Sequence, residues 1–390
     1  MAKNIFISFL GTGHYKECQY DYRLFDGNKR KVTFIQEATL DYLLSQHKFD
    51  SNSIAYILLT GKAREFNWDD GYDFELEDGT IETQEEGLCS RLEKLKKKKA
   101  KEGVVFNYKD IDISDESEKD IWVLFSDLYN LLVKEVQDND ICLFVDITHS
   151  FRYLPMFLIV FINYVKLFKN VTVEHISYGN YEGRDKKTNV APIVELTDYS
   201  KLQDWTYAVR TYTESGNVKS LEKLLSKSDS DLFDAIKNVS LDFSLCRGRN
   251  IISGIHIAAL KKEVQDFKRK RAGQPDIAQL SHLIDAIQKE IKYFKGSRDV
   301  KNGIEAAKWC YNKGLYQQAV TILDETIKLG DKTDFYEDFN TDYNQQKFAT
   351  PKNSTTKIRN NINHADLILS EAIETDELLQ EFKSLFEEKL

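Results

Sequence analysis

The first half of the chain alternates short, almost continuously apolar runs with helical patterns, and this alternation constrains the fold more than any other feature. The runs are Ile5–Leu10, Ile54–Leu59, Val104–Phe106, Ile141–Val145 and Val171–Ile176. Such runs are typical of strands that are buried on both faces of a sheet. Because helical patterns lie between them, the alternation predicts a doubly wound, mostly parallel α/β sheet. A turn dipeptide, Asp26-Gly27, separates Tyr20–Phe25 from Lys31–Ile35 and predicts an inserted hairpin.

Beyond about residue 198 the strand patterns stop and helical patterns follow one another. The predicted helices are Leu202–Thr213, Leu221–Lys227, Leu232–Cys246, Ile251–Lys270, Ala278–Phe294, Val300–Asn312, Tyr316–Leu329, Thr355–Ser370 and Leu378–Lys389. A chain of 390 residues is long enough for two domains. The change of pattern therefore predicts an α/β domain over residues 1–197 and an all-α region over residues 198–390.

The charge and cysteine content exclude several classes of protein. A net charge of -9 argues against a generally basic, nucleic-acid-coating surface, so any RNA contact should be confined to a cleft. The five cysteines contain no CxxC pair and indicate reduced thiols. The longest apolar run, Leu154–Ile162, is too short to cross a bilayer, and the start of the chain lacks a signal-peptide pattern. We therefore expect a cytoplasmic protein without a membrane partner.

Glycines and hydrogen-bond donors follow four of the predicted strands. They are Gly11-Thr12-Gly13-His14-Tyr15, Thr60-Gly61-Lys62, Asp146-Ile147-Thr148-His149-Ser150-Phe151-Arg152 and Tyr178-Gly179-Asn180. The carboxyl ends of parallel strands meet at one edge of a sheet, where ligands bind. Backbone N–H groups beside glycines, and Ser, Thr, His and Arg side chains, are donors for anionic oxygens. The four loops together predict a phosphate-binding edge.

Each loop taken alone has other interpretations. The first has Lys16 where a dinucleotide fingerprint has its third glycine, and Thr60-Gly61-Lys62 lacks the first glycine of a phosphate loop. His149 is also compatible with a buried histidine at a strand end, and Asp146 with a helix cap. Four histidines and cysteines of this half, His14, Cys18, His149 and His175, are not spaced like a zinc site, so no metal is predicted.

The segment Asp146–Arg152 resembles the DxTHG motif of a family of CRISPR-associated proteins that carry a Rossmann-like CARF sensor domain. Ser150 stands where that family usually has glycine. The other matching features are the Gly11–Tyr15 loop, Gln36-Glu37-Ala38, Asn67-Trp68 and Tyr178-Gly179, so that the resemblance covers about residues 4–210. It implies a two-fold dimer, or a larger even-numbered homo-oligomer, that binds a cyclic oligoadenylate. Cyclic tetra-adenylate is the expected activator, although the residues leave the size of the molecule open.

The end of the helical half resembles the R-x4–6-H motif of HEPN ribonucleases. Arg359 is followed directly by the polar Asn360 and, five positions on, by His364. A second match to this pattern, Arg249-Asn250 with His256, lies earlier in the chain. The position of Arg359 and His364 near the end of the chain favours them, because CARF–HEPN proteins carry the motif there. Arg359, Asn360 and His364 are therefore the predicted catalytic residues.

The resemblance implies a metal-independent endoribonuclease that cleaves single-stranded RNA and needs no cofactor. The 2′-hydroxyl of RNA attacks the adjacent phosphorus, an imidazole moves the proton, and a guanidinium stabilises the charged phosphorane. On an ideal helix Arg359 and His364 point about 140° apart, which favours a site shared by two chains. The alternative is a ligand-sensing regulator whose helical half binds DNA or a partner, with Ile251–Lys270 as its only candidate recognition helix.

Overall fold

The computed structural model describes most of the chain. The described residues are 2–21, 29–46, 49, 51–113, 121–136, 140–149, 154–167, 171–225, 229–273, 277–330, 355–356, 358–360, 362, 380–381 and 383–388. Contacts between residues divide the chain into two compact units, Met1–Lys201 and Leu202–Leu390. Each unit has its own apolar core.

The first unit is built on one mostly parallel sheet. Its strands are β1 (Lys3–Leu10), β2 (Cys18–Asp21), β3 (Lys29–Val32), β4 (Ile54–Leu59), β7 (Asn107–Asp112), β8 (Ile141–Asp146), β9 (Val171–Gly179) and β10 (Val190–Glu195). Their order across the sheet is β3-β2-β10-β9-β8-β1-β4-β7. The strands from β9 to β7 run parallel, whereas β10 is antiparallel to β9 and β3 is antiparallel to β2. A separate hairpin is formed by β5 (Tyr72–Glu75) and β6 (Ile81–Gln84).

Strand β1 shows why the apolar runs are continuous. Ile5, Ile7 and Phe9 pack into the core on one face of the sheet, and Phe6 and Leu10 pack into the core on the other. Helices cover both faces. They are α1 (Ile35–Ser45), α2 (Gly61–Ala63, which continues as a π-helical turn, Arg64–Trp68), α3 (Leu88–Lys101), α4 (Ile121–Val136) and α5 (Leu154–Val165). The predicted doubly wound α/β sheet is confirmed.

Most of the predicted strands are confirmed, and one is wrong. The inserted hairpin is confirmed as the antiparallel β2–β3 pair, while the predicted turn at Asp26-Gly27 lies outside the described residues. Val104–Phe106 was predicted as a strand, but β7 begins only at Asn107 and runs through polar residues. It lies at the edge of the sheet and is half exposed, so it lacks the apolar signature of a central strand. The predictions also omitted β10, whose Pro192 is atypical of strands.

The second unit is helical in its described residues. Its helices are α6 (Thr197–Ser215, which begins in the first unit), α7 (Lys219–Leu225), α8 (Ser230–Ser244), α9 (Gly248–Ser253), α10 (Ile255–Lys270), α11 (Ile277–Glu290), α12 (Lys301–Asn312) and α13 (Tyr316–Gly330). Helical backbone is also found at residues 355–356, 358–360 and 362, and Ser384–Glu388 forms a π-helical turn. Among the described helices, none has the length and apolar character that crossing a membrane requires.

One predicted helix, Ile251–Lys270, is in fact two. Gly254 has a φ of 69° and separates α9 from α10. A Cβ at this position would lie 2.5 Å from the carbonyl oxygen of Lys295, so only glycine fits both the backbone angle and the close approach. The break places Arg249 and His256 on different helices.

Candidate functional site

The four predicted loops leave the carboxyl ends of β1, β4, β8 and β9, which are parallel neighbours in the sheet. Neighbouring loops contact one another at this carboxyl edge of the sheet. The Thr148 hydroxyl accepts a hydrogen bond from the backbone N–H of Gly179 at 2.8 Å. The rings of Tyr15 and His149 lie 3.9 Å apart between centroids. The residues of three of these loops therefore form one continuous surface.

Asp146 lies beneath this surface, at the end of β8. Its side chain is 0% exposed, and it accepts hydrogen bonds from the hydroxyls of Ser8 at 2.8 Å and Thr148 at 2.6 Å. Gln36 extends the network by donating to the Ser8 hydroxyl at 3.1 Å. The Asp146 carboxylate is used inside the protein and positions Thr148. The predicted contact of Asp146 with a ligand stays a prediction.

Burial raises the pKa of Asp146 to about 6, although hydrogen bonds from Thr148 and Ser8 oppose the shift. The folded protein therefore holds an extra proton between about pH 4 and about pH 6, and its stability falls as the pH rises through that window. Asp146→Asn removes this titration. Between pH 4 and pH 7, the free energy of unfolding of wild type in urea should fall by about 3 kcal/mol relative to that of the variant. A difference that stays constant with pH would contradict the assignment.

The loop after β1 is held in a single shape by Asn67. Its buried side-chain amide donates to the carbonyl oxygens of Gly11 and Gly13, both at 2.9 Å. Gly11 is required because a Cβ there would lie 2.5 Å from the hydroxyl of Tyr15 and 2.9 Å from the carbonyl oxygen of His149. Burial raises the pKa of Tyr15 to about 12, so the phenol stays neutral. Its hydroxyl is held within the loop.

The His149 side chain is a neutral group at physiological pH. Burial lowers its pKa to about 3. Its Nε2 atom is buried and has no hydrogen-bond partner within the described residues. An imidazole held in this way offers one donor and one acceptor, and carries no positive charge. The buried unpaired nitrogen is a candidate contact for a polar ligand atom.

The β5–β6 hairpin contributes to the site and was not predicted. Phe74 of β5 stacks on the His14 ring with 4.5 Å between centroids. Glu82 of β6 lies 3.7 Å from His14 Nε2 and 3.5 Å from the Lys16 ammonium. The hairpin is therefore fastened to the Gly11–Tyr15 loop by one aromatic contact and one acidic side chain. Its short strands are mostly polar and exposed, which hides them from pattern analysis.

The remaining predicted ligand residues differ in their exposure. Thr60 is buried, and its hydroxyl caps α2 by accepting a hydrogen bond from the N–H of Ala63. Its predicted contact with a ligand stays a prediction. Thr12 and Tyr178 are half-buried, and Gly13 is exposed. Ser150, Phe151 and Arg152 lie outside the described residues. Their predicted contacts with a ligand stay predictions.

In the second unit Arg359 is held by a buried carboxylate. Its guanidinium donates to Asp324 of α13 at 2.5 Å, and lies 3.3 Å from both Glu325 and the amide oxygen of Asn360. Asp324 is only 1% exposed, and it also accepts from Lys328 at 2.6 Å and from Thr356 at 2.8 Å. His364 lies outside the described residues. Arg359 and Asn360 are thus adjacent, as the motif requires.

The neighbouring side chain Ile358 explains how the Arg359 segment is placed. It is 1% exposed and packs in the core of the helical unit, together with Ala319, Val320 and Leu323 of α13. An apolar anchor one residue before Arg359 therefore fixes the segment against α13. The role of Asp324 could not be predicted from the sequence, because a single acidic residue in an amphipathic helix is indistinguishable from a solvent-facing one.

The basic end of α10 is largely neutralised. Lys268 forms an ion pair with Asp285, Arg269 with Asp266 at 2.8 Å, and Arg271 with Asp229 at 2.6 Å. A DNA recognition helix requires basic side chains that are available to phosphates and bases. These pairs disfavour the alternative of a DNA-binding regulator. Low-salt binding to duplex DNA remains its direct test.

Comparison with known proteins agrees with the features of the first unit. Residues 5–182 match the family model described as the CARF domain of the CRISPR system endoribonuclease Csx1. A CRISPR-associated protein of Methanocaldococcus jannaschii is 28% identical over 210 residues. That match spans 53% of this chain and 31% of the archaeal protein, so the chain covers about a third of that relative's length.

One solved structure also matches most of this chain. It is Enterococcus italicus Csm6 bound to cyclic hexa-2′-fluoro-hexa-dAMP, at 12% identity and a TM-score of 0.38, with 99% of this chain and 92% of that chain covered. The family match covers every strand of the sheet except β10, and the loops at its carboxyl edge. Most of the first unit is therefore similar to the CARF domain of that CRISPR-associated family.

Proposed function

We propose that this protein is an endoribonuclease of type III CRISPR antiviral defence that is activated by a cyclic oligoadenylate. The CARF domain binds the activator at the carboxyl edge of its sheet, and the helical unit is a HEPN domain that cleaves single-stranded RNA. The observation that carries the proposal is the Arg359 guanidinium held by the buried Asp324, within a motif that ends at His364.

The residue types support cleavage by the RNA's own 2′-hydroxyl. Arg359 presents a planar fork of donors that stabilises the charge that builds up on the phosphorane oxygens. Asn360, 3.3 Å from the guanidinium, orients the guanidinium or the phosphate. His364 moves a proton to or from the reacting oxygens. This chemistry uses no metal ion.

We propose a homodimer, or a larger even-numbered assembly, as the active form. A two-fold axis lets two identical CARF domains bind one symmetric activator, and it brings two Arg–His pairs into one cleft. The activator shifts the population toward the assembly in which these pairs are aligned, provided that it binds that conformation more tightly.

The test is RNA degradation with cyclic tetra-adenylate and cyclic hexa-adenylate in parallel, each with and without a chelator. We expect one activator to stimulate cleavage strongly, and the chelator to leave the rate nearly unchanged. Linear oligoadenylate of the same length serves as the control. If neither molecule binds or stimulates cleavage, the proposal is wrong. A rate that collapses with the chelator would point to a metal-dependent nuclease.

Asp324→Asn is expected to lower the kcat of cleavage by roughly tenfold or more while leaving KM nearly unchanged, because hydrogen bonds to charged groups contribute about 1.5–3 kcal/mol. Asparagine keeps the shape but removes the charge that orients Arg359. The matched control is Glu325→Gln, since Glu325 is adjacent, 61% exposed and 3.3 Å from the same guanidinium. It should change the rate by less than about threefold. Equal losses in both variants would contradict a specific role for Asp324.

A further inference from the structure

A second polar cluster in the helical unit is centred on Asp242 of α8. Asp242 is 5% exposed and accepts hydrogen bonds from the Asn250 amide at 2.9 Å and from His256 Nδ1 at 2.6 Å. Asn250 belongs to α9 and His256 to α10, so the carboxylate joins three helices. These are residues of the second R-x4–6-H match, which the proposed catalytic site does not use.

The contact with Asp242 fixes which nitrogen of the His256 ring carries a hydrogen. A nitrogen 2.6 Å from a carboxylate oxygen carries a hydrogen and donates it, so Nδ1 is the protonated nitrogen. The second nitrogen, Nε2, then faces away from Asp242. The side chain is 30% exposed, and within the described part of the chain Nε2 has no hydrogen-bond partner. In the neutral ring Nε2 is an acceptor that suits a hydroxyl group.

Two arginines lie at the start of α9, the helix whose Asn250 shares the Asp242 carboxylate with His256. Arg247 and Arg249 are exposed, and neither forms an ion pair with a described residue. By contrast, Arg269 and Arg271 in the same unit are paired with carboxylates. The Arg247 and Arg249 guanidiniums are therefore available to an external anion. The guanidinium geometry matches a phosphodiester.

We propose that Arg247, Arg249 and His256 form an RNA-binding site separate from the Arg359 site. The guanidiniums bind a phosphodiester, and Nε2 of His256 accepts a hydrogen bond from a ribose 2′-hydroxyl. Asp242 is a positioning residue that holds the ring in the required tautomer. The inference rests on the proposed function in taking RNA as the ligand. It adds a substrate-binding surface that discriminates RNA from DNA.

The experiment measures binding of a labelled single-stranded RNA, and of a DNA of the same sequence, to the full chain by fluorescence anisotropy. The activator is absent, and gels confirm that the RNA stays intact. Arg249→Ala should weaken the binding of both by about tenfold. His256→Ala should weaken RNA binding by about fivefold and leave DNA binding unchanged, because DNA lacks the hydroxyl. The matched control is Arg210→Ala, an exposed arginine of α6 that is paired with Glu214.

Asp242→Asn should reproduce the loss caused by His256→Ala, with near-ultraviolet circular dichroism showing a native core. Arg249 is exposed, so its variant tests the site even where a change at the buried Asp242 unfolds the protein. A wild-type protein without affinity for RNA, or unchanged binding by Arg249→Ala and His256→Ala, overturns the inference. So does a loss of subunit association, measured by sedimentation, with RNA binding intact. RNA that binds but is not cleaved with any activator overturns the proposed function alone.

Discussion

Arg359→Ala is expected to abolish activator-stimulated RNA cleavage, with a loss of about a thousandfold, and to leave cyclic oligoadenylate binding unchanged. Removing one preorganised donor from an anionic transition state costs about a hundredfold to a thousandfold. In the proposed site Arg359 would supply such donors, and Asp324 holds its guanidinium in place. Cleavage is measured with a fluorogenic RNA, and activator binding by calorimetry on the same preparation.

Two further variants make this prediction specific. His364→Ala should be as inactive as Arg359→Ala, because in the proposed mechanism the two residues act in one step. Arg359→Lys keeps a positive charge opposite the buried Asp324 but loses the planar fork, and should also be nearly inactive while folding normally. Arg210→Ala, which removes an exposed and paired arginine, should cleave like wild type. A variant at Arg359 that retains a tenth or more of the wild-type rate would refute the catalytic assignment.

Gly11→Ala is expected to raise the activator concentration needed for half-maximal cleavage by about tenfold to a hundredfold. The added methyl would lie 2.5 Å from the Tyr15 hydroxyl and 2.9 Å from the His149 carbonyl oxygen. One contact is with backbone, so the loops after β1 and β8 must move apart. The maximal rate at saturating activator should stay close to that of wild type, because the Arg359 site is unchanged.

Gly61→Ala is the matched control for this prediction. Gly61 follows the neighbouring strand β4, and an added Cβ there meets no atom within 4 Å. Gly61 belongs to another of the predicted ligand loops but has room for a methyl group, so its activation curve should shift far less than that of Gly11→Ala. Melting temperatures of both variants separate a loosened loop from a destabilised domain. If Gly11→Ala responds to the activator as wild type does, then the loop after β1 does not contact the activator.

The central strands could be predicted from the sequence because burial on both faces leaves an unmistakable apolar run, as in Ile5–Leu10. The edge strand β7 and the β5–β6 hairpin could not, since half-exposed strands carry polar residues on one side. The break at Gly254 was missed for another reason. A single glycine within a helical pattern is usually tolerated, and only its close approach to Lys295 shows that it ends a helix.

The loops of the site could be located from the sequence, but the direction of each side chain could not. Asp146 and Thr60 belong to the predicted motifs and yet point into the protein, where they organise the loops. Asn67 and Gln36 were recognised as matching features without a role, and the structure gives them one as buried donors to the first loop and to Ser8. Such roles depend on contacts between residues that are far apart in the chain.

The neutral state of His149 has a consequence for how affinity should depend on ionic strength. An imidazolium beside a phosphate would make binding weaken steeply as salt is added, because screening acts on charge–charge attraction. A ring whose pKa lies near 3 carries no such charge under ordinary conditions. A hydrogen bond to the His149 ring would therefore orient a ligand bound beside it. Any dependence of the affinity on salt must come from cationic side chains elsewhere on the carboxyl edge of the sheet.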